Sequence, residues 1–86
     1  MRVSNGTTND VNYNQTGSNP QERADPPPDE SGKLGPGEET PPFDPSGNAP
    51  WFVTFSNGHE PVTSDPINKA GVTVTLNDDW TINITS

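Results

Sequence analysis

Cysteine is absent from this chain of 86 residues, which removes disulfide staples, thiolate metal sites and a cysteine nucleophile together. Basic residues are scarce: four Lys and Arg stand against twelve Asp and Glu, for a net charge of −8. That balance argues against holding nucleic acid or an anionic membrane by charge, since both need Lys and Arg to neutralise phosphates. A protein partner with a basic or apolar surface fits better. Apolar residues make up only 24% of the chain, against about 45 to 50% in a typical globular domain, so most of it is not expected to be packed core. No apolar run comes near the ~18 residues of a membrane span, and the opening "MRVSNGTTNDV" has no apolar signal region. The chain therefore reads as soluble and without a cleaved leader. Histidine occurs once, as His59, without the positioned nucleophile and orienting group that a general base needs. It reads as a residue flanking a turn, and no catalytic, cofactor-binding or metal-binding residue is assigned.

What is present divides at Pro50. Residues 1 to 50 carry every proline except Pro61 and Pro66, and few apolar residues: Met1, Val3, Val11, Tyr13, Ala24, Leu34, Phe43 and Ala49. Such a segment does not repay its ordering entropy by burying itself. It is expected to be an extended or disordered arm, Asn/Thr-rich at first and then Pro-rich and acidic from Pro20 to Pro50. With polyproline II character, at about 3.1 Å per residue, this second part would reach roughly 100 Å. "DPPPDE" and "EETPPFDP" lack the P-x-x-P spacing with a flanking base, and read as spacer.

Residues 51 to 86 show the period-2 alternation of half-buried strands. The expected fold class is all-β, with a small antiparallel four-stranded hairpin domain built from strands at 51 to 56, 59 to 63, 71 to 76 and 80 to 85. Asn57-Gly58 predicts a two-residue turn that sets Val53 opposite Val62, with Pro61 acceptable only on an edge. In the second hairpin a three-residue loop at Asn77-Asp78-Asp79 would place Leu76 opposite Trp80, Val74 opposite Ile82 and Val72 opposite Ile84. That register keeps the apolar set on one face, with an Asp at the left-handed position. A single sheet with one apolar face is marginal alone. The face is expected to be covered by a second copy, by the arm, or by another protein.

The acidic pairs Asp29-Glu30, Glu38-Glu39 and Asp78-Asp79 do not have the spacing of a calcium loop and read as solvated charge, with Asn77-Asp78-Asp79 a candidate for loose cation binding. Three N-x-T triplets, at Asn5, Asn14 and Asn83, are about what the composition supplies by chance. The aromatics carry the sharper expectation. Trp51, Val53 and Phe55 would share the inward face of the first strand, while Phe52 points the other way and meets another chain, as aromatics at interface cores do. Phe43 would anchor the arm, to a neighbour or to the domain itself. Phe43, Trp51, Phe52, Phe55 and Trp80 are thus the interface candidates.

A long acidic arm (Asn19 to Pro50) leading into the hairpins "WFVTFSNGHEPVT" and "GVTVTLNDDWTINITS" resembles the small decoration or cement proteins of tailed-phage capsids. That resemblance implies a structural protein on the outside of an assembled shell, bound to the major capsid protein as a homo-oligomer, with a trimer favoured. A competing reading is a secreted or surface-displayed β module on a Pro-rich stalk, with Trp51 and Trp80 stacking on sugar rings or serving adhesion.

Overall fold

The computed structural model describes residues 1–17, 30–45, 49–58 and 60–86. Its regular elements are all strands: β1 (Arg2–Asn5), β2 (Val11–Thr16), β3 (Glu30–Leu34), β4 (Phe52–Ser56), β5 (Val62–Thr63), β6 (Thr73–Leu76) and β7 (Ile82–Thr85). The all-β class expected from the sequence is what forms, but the strands sort differently. A four-stranded antiparallel sheet runs in the order β3-β2-β4-β5, and a three-stranded sheet in the order β1-β6-β7, with β1 parallel to β6. The two expected hairpins therefore belong to different sheets, and each sheet takes a strand from the first seventeen residues. Expectations that fall on residues 18–29, on 46–48 and on His59 lie outside the described residues.

The first seventeen residues, expected to be coil, make β1 and β2. "VNYNQT" alternates, and the structure buries Val11, Tyr13 and Gln15 while Asn12 and Asn14 face solvent. Asn and Thr are weak strand formers taken singly, but strand preference reports packing against cross-strand neighbours more than backbone preference. Here the neighbours decide: Tyr13 pairs with Phe55 on one side and Gly32 on the other, and Gln15 pairs with Val53. Facing them, β1 and β6 contribute Val3, Val74 and Leu76. A single cluster unites these with Met1, Val11, Leu34, Val53, Ile67 and Val72. Of the covers expected for the apolar face, the N-terminal part of the chain supplies this one.

The segment after β3 closes the outer side of β1. Gly35-Pro36-Gly37-Glu38 turns back with the Glu38 amide donating to the Gly35 carbonyl at 3.0 Å, and Gly37 takes φ 75°. Pro in the second place and a positive-φ glycine in the third are what a type II turn requires. Beyond it the backbone runs along β1. Asn5 donates to the Glu38 carbonyl at 2.9 Å, Thr40 to that of Val3 at 2.9 Å, and Phe43 to that of Met1 at 2.9 Å.

Both C-terminal hairpins sit in registers two residues away from those expected. Phe55, not Val53, lies opposite Val62, and the connection runs from Asn57 to Pro61; Gly58 has φ 92°, but Asn57 does not take the positive φ that a type I′ turn needs. β5 is the sheet edge, which is where Pro61 was acceptable. In the second hairpin Leu76 pairs with Ile82 and Val74 with Ile84. The loop has the expected three residues but is shifted to Asp78-Asp79-Trp80, closed by the Asn77 amide on the Thr81 carbonyl at 2.7 Å. The left-handed residue is Trp80, with φ 68°, and not an Asp. A shift of two preserves which residues share a face, so the patterning argument that excludes a shift of one leaves this choice open.

Candidate functional site

The interface candidates do not converge on one surface. Phe55 is fully buried between the sheets, at the centre of the core cluster. Phe52 points the other way, as alternation requires. It is nonetheless 5% exposed within the single chain, beside its equally buried cross-strand partner Thr16, so as folded it offers little surface to another molecule. Phe43 is half-buried against the core, the second of its two expected seats. Its carbonyl accepts the Met1 amino group at 2.7 Å. A shallow open depression of about 310 Å³ lies beside it, lined by Met1, Pro42, Phe43, Asp44, Ala70 and Gly71.

The two tryptophans are both half-buried and packed against the core. Trp51 exchanges backbone hydrogen bonds with Ile67, at 2.8 and 2.9 Å, which extends the β4–β5 pairing past Asp65-Pro66. Trp80 donates its indole Nε1–H to the Glu60 carbonyl at 3.3 Å. The ring thereby ties the β6–β7 loop to the segment leading into β5, which locks a residue whose left-handed backbone is costly for a bulky side chain. Both rings serve packing between elements, and a sugar stacked on either would meet only what that packing leaves exposed.

Beside Trp80, the acidic loop is organised by hydrogen bonds of its own. The Asp79 carboxylate accepts from the Thr81 hydroxyl at 2.6 Å and from the Thr81 amide at 3.3 Å. Donation from the Thr81 hydroxyl, first, and from the backbone holds the Asp79 carboxyl below the ordinary aspartate range. Asn77 donates to the same hydroxyl at 3.1 Å. Asp78 is exposed, and among the described residues no three acidic or histidine side chains gather as metal ligands.

Two features that sequence reasoning missed matter more. The first is Asn5, fully buried. Its Nδ2 donates to the carbonyls of Asn9 at 2.7 Å, Gly35 at 3.0 Å and Leu34 at 3.1 Å, and its Oδ1 accepts from the Thr7 amide at 2.9 Å and the Thr7 hydroxyl at 2.7 Å. One side chain thus joins the β1–β2 turn to the end of β3. With both amide atoms engaged, the Asn5 triplet is closed to glycosylation in the folded chain; Asn14 and Asn83 are exposed. The second is the outer rim of β7. Ile84 is the large apolar side chain standing exposed among the described residues, at 36%, although it belongs to the core-facing set. The alternation Trp80, Ile82, Ile84 shows in the sequence; which member would overhang the opposite sheet does not.

Charge completes the surface. Arg2 and Lys33 form exposed ion pairs with Glu39 and Asp10, at 3.5 and 3.6 Å, of the kind that contributes little to stability. Glu38, Asp44, Glu60, Asp65, Asp78 and Asp79 are exposed, and no ion pair among the described residues engages them. No helix of the described residues is long and apolar enough to cross a membrane. Compared with models of known families, with curated proteins and with solved structures, the chain matches none.

Proposed function

We propose that the chain is a structural protein that attaches to the outside of an assembled protein shell, in the manner of a capsid decoration or cement protein. The observation that supports this most is the separation of its surfaces. The apolar core is closed within the chain, while carboxylates stand exposed at both ends of the three-stranded sheet, Glu38, Asp78 and Asp79 near the Asn5–Leu76 end and Asp44 beyond Met1, outside any ion pair among the described residues. A stable body with an acidic rim suits attachment to a basic protein surface. On a shell that repeats its binding surface many times, weak individual contacts are multiplied by avidity.

Gold-labelled antibody against the chain, applied to phage particles from the same source, tests this directly. Label on the shells is expected, released as salt rises because exposed charges are screened. Particles that carry no label, with all of the protein in the soluble fraction, would remove the proposal.

A further inference from the structure

We infer that two copies of this chain pair along β7, so that the three-stranded sheet continues across a twofold axis into one of six strands. This goes beyond attachment to a shell and does not depend on it.

An exposed strand edge is a template for another strand, and proteins blunt such edges with charge, proline, short strands or a covering segment. The outer side of β1 is covered by residues 37 to 43, whose own outer side carries Glu38, Glu39, Pro41 and Pro42. β5 is two residues long and follows Pro61. β3 carries Lys33, paired with Asp10, and Gly32. β7 has neither charge, proline nor glycine in Ile82-Asn83-Ile84-Thr85, and no segment among the described residues pairs with its outer side, where Asn83, Ile84 and Thr85 are all exposed.

Charge leaves this edge open to a second copy. With a net charge of −8, two copies repel through most of their surfaces, and the uncharged stretch from Trp80 to Ser86 is where they approach at least cost. A basic partner, by contrast, gains nothing specific from an uncharged strand.

The geometry then sets a register. The Asn77 amide bonds the Thr81 carbonyl, and antiparallel ladders alternate bonded and non-bonded pairs. Positions 81, 83 and 85 therefore bond inward to β6, while Ile82 and Ile84 turn their amides and carbonyls to the open edge. Antiparallel pairing that matches these groups and keeps the core-facing sides together sets Ile82 of each copy opposite Ile84 of the other. Asn83 then meets its own counterpart at the axis. A slip of one residue would set Asn83 against Ile84 and mix the faces. A slip of two in either direction keeps a single isoleucine pair at the axis, Ile84 with Ile84 or Ile82 with Ile82, where this register makes two. The contact is isologous and closes as a dimer, not as the trimer expected by resemblance.

The absence of cysteine makes the test clean. In a non-hydrogen-bonded antiparallel pair the Cβ atoms are about 4.5 to 5.5 Å apart, close enough that small adjustment meets the roughly 3.5 to 4.5 Å of a disulfide. Asn83→Cys is expected to form a disulfide-linked dimer under mild oxidation, faster than Ser31→Cys on the β3 edge. Sedimentation equilibrium of the unmodified chain is expected to show reversible association from 9.2 kDa to twice that mass, strengthened by salt. Ile84→Lys, at an exposed position, should remain folded by circular dichroism and lose the dimer. A unmodified chain that stays monomeric at its highest soluble concentration would overturn the inference. So would a trimer, an association that survives Ile84→Lys, or cross-linking of Asn83→Cys no faster than that of Ser31→Cys.

Discussion

Asn5 shows how one buried amide can hold a turn that apolar packing does not. Removing the side chain would strand the Thr7 amide and take a donor from the carbonyls of Asn9, Leu34 and Gly35, of which Asn9 keeps the Thr7 hydroxyl and Gly35 the Glu38 amide, and a buried polar group left without a partner costs about 1 to 3 kcal/mol. Asn5→Ala is therefore expected to lower the unfolding free energy by about 2 to 4 kcal/mol, read from the urea midpoint at unchanged slope. An effect within experimental error would mean that solvent reaches these groups. Nothing in "SNGTT" marks the role, because Asn beside Gly is also the commonest kind of turn. The hub exists only because the end of β3, some thirty residues away, arrives beside it. Gly6 has a comparable constraint. A Cβ there would lie 2.8 Å from the Leu76 carbonyl oxygen, too close for backbone that is itself held by the Gly6 amide bonding that oxygen at 2.8 Å.

Among the elements, the hairpins were legible as strands but not in their pairing. Period 2 placed β4, β6 and β7 within two residues of their observed starts, and faces were assigned correctly for Val53, Phe55, Val74, Leu76 and Ile82. Register was lost because parity distinguishes odd shifts and not even ones. In the β6–β7 hairpin the decision falls to Trp80, whose indole packs on the core and bonds the Glu60 carbonyl, contacts outside the hairpin itself. Its left-handed φ of 68° yields a prediction that isolates the backbone. Trp80→Gly and Trp80→Ala both lose the ring, but only alanine bears the left-handed penalty of roughly 1 to 2 kcal/mol. The glycine variant should be the more stable by about 1 kcal/mol, measured by thermal or urea unfolding. Equal stabilities would show that the loop reverts to another conformation once the ring is gone.

Across the whole molecule, the division at Pro50 does not describe the described residues. The two halves interleave: β1 adjoins β6, and β2 lies between β3 and β4. A fragment of residues 51 to 86 would hold two hairpins that do not pair with each other, each missing the strand beside it, and an isolated hairpin is marginal in water. It is expected to show no cooperative melt, and the full chain a cooperative one. Cooperative unfolding of the fragment alone would mean that its hairpins have an alternative sheet available. The N-terminal contribution was hidden by averaging. Met1, Val3, Val11, Tyr13 and Leu34 are thinly spread over the chain, and proline-rich sequence dilutes any window that spans them. At the scale of six residues, "VNYNQT" already alternates.

Composition and periodicity determined by themselves that the chain is all-β, that its surface is acidic, and where most C-terminal strands lie, because these depend on side-chain chemistry and on the two-residue repeat of a pleated backbone. The tertiary structure alone decided which strands are neighbours, that β1 runs parallel to β6, that Asn5 is a buried hub and that β7 is left as the open edge. Those outcomes depend on contacts between residues far apart in the chain, where the gain from closing one core between two sheets outweighs the weak local preferences of Asn- and Thr-rich sequence.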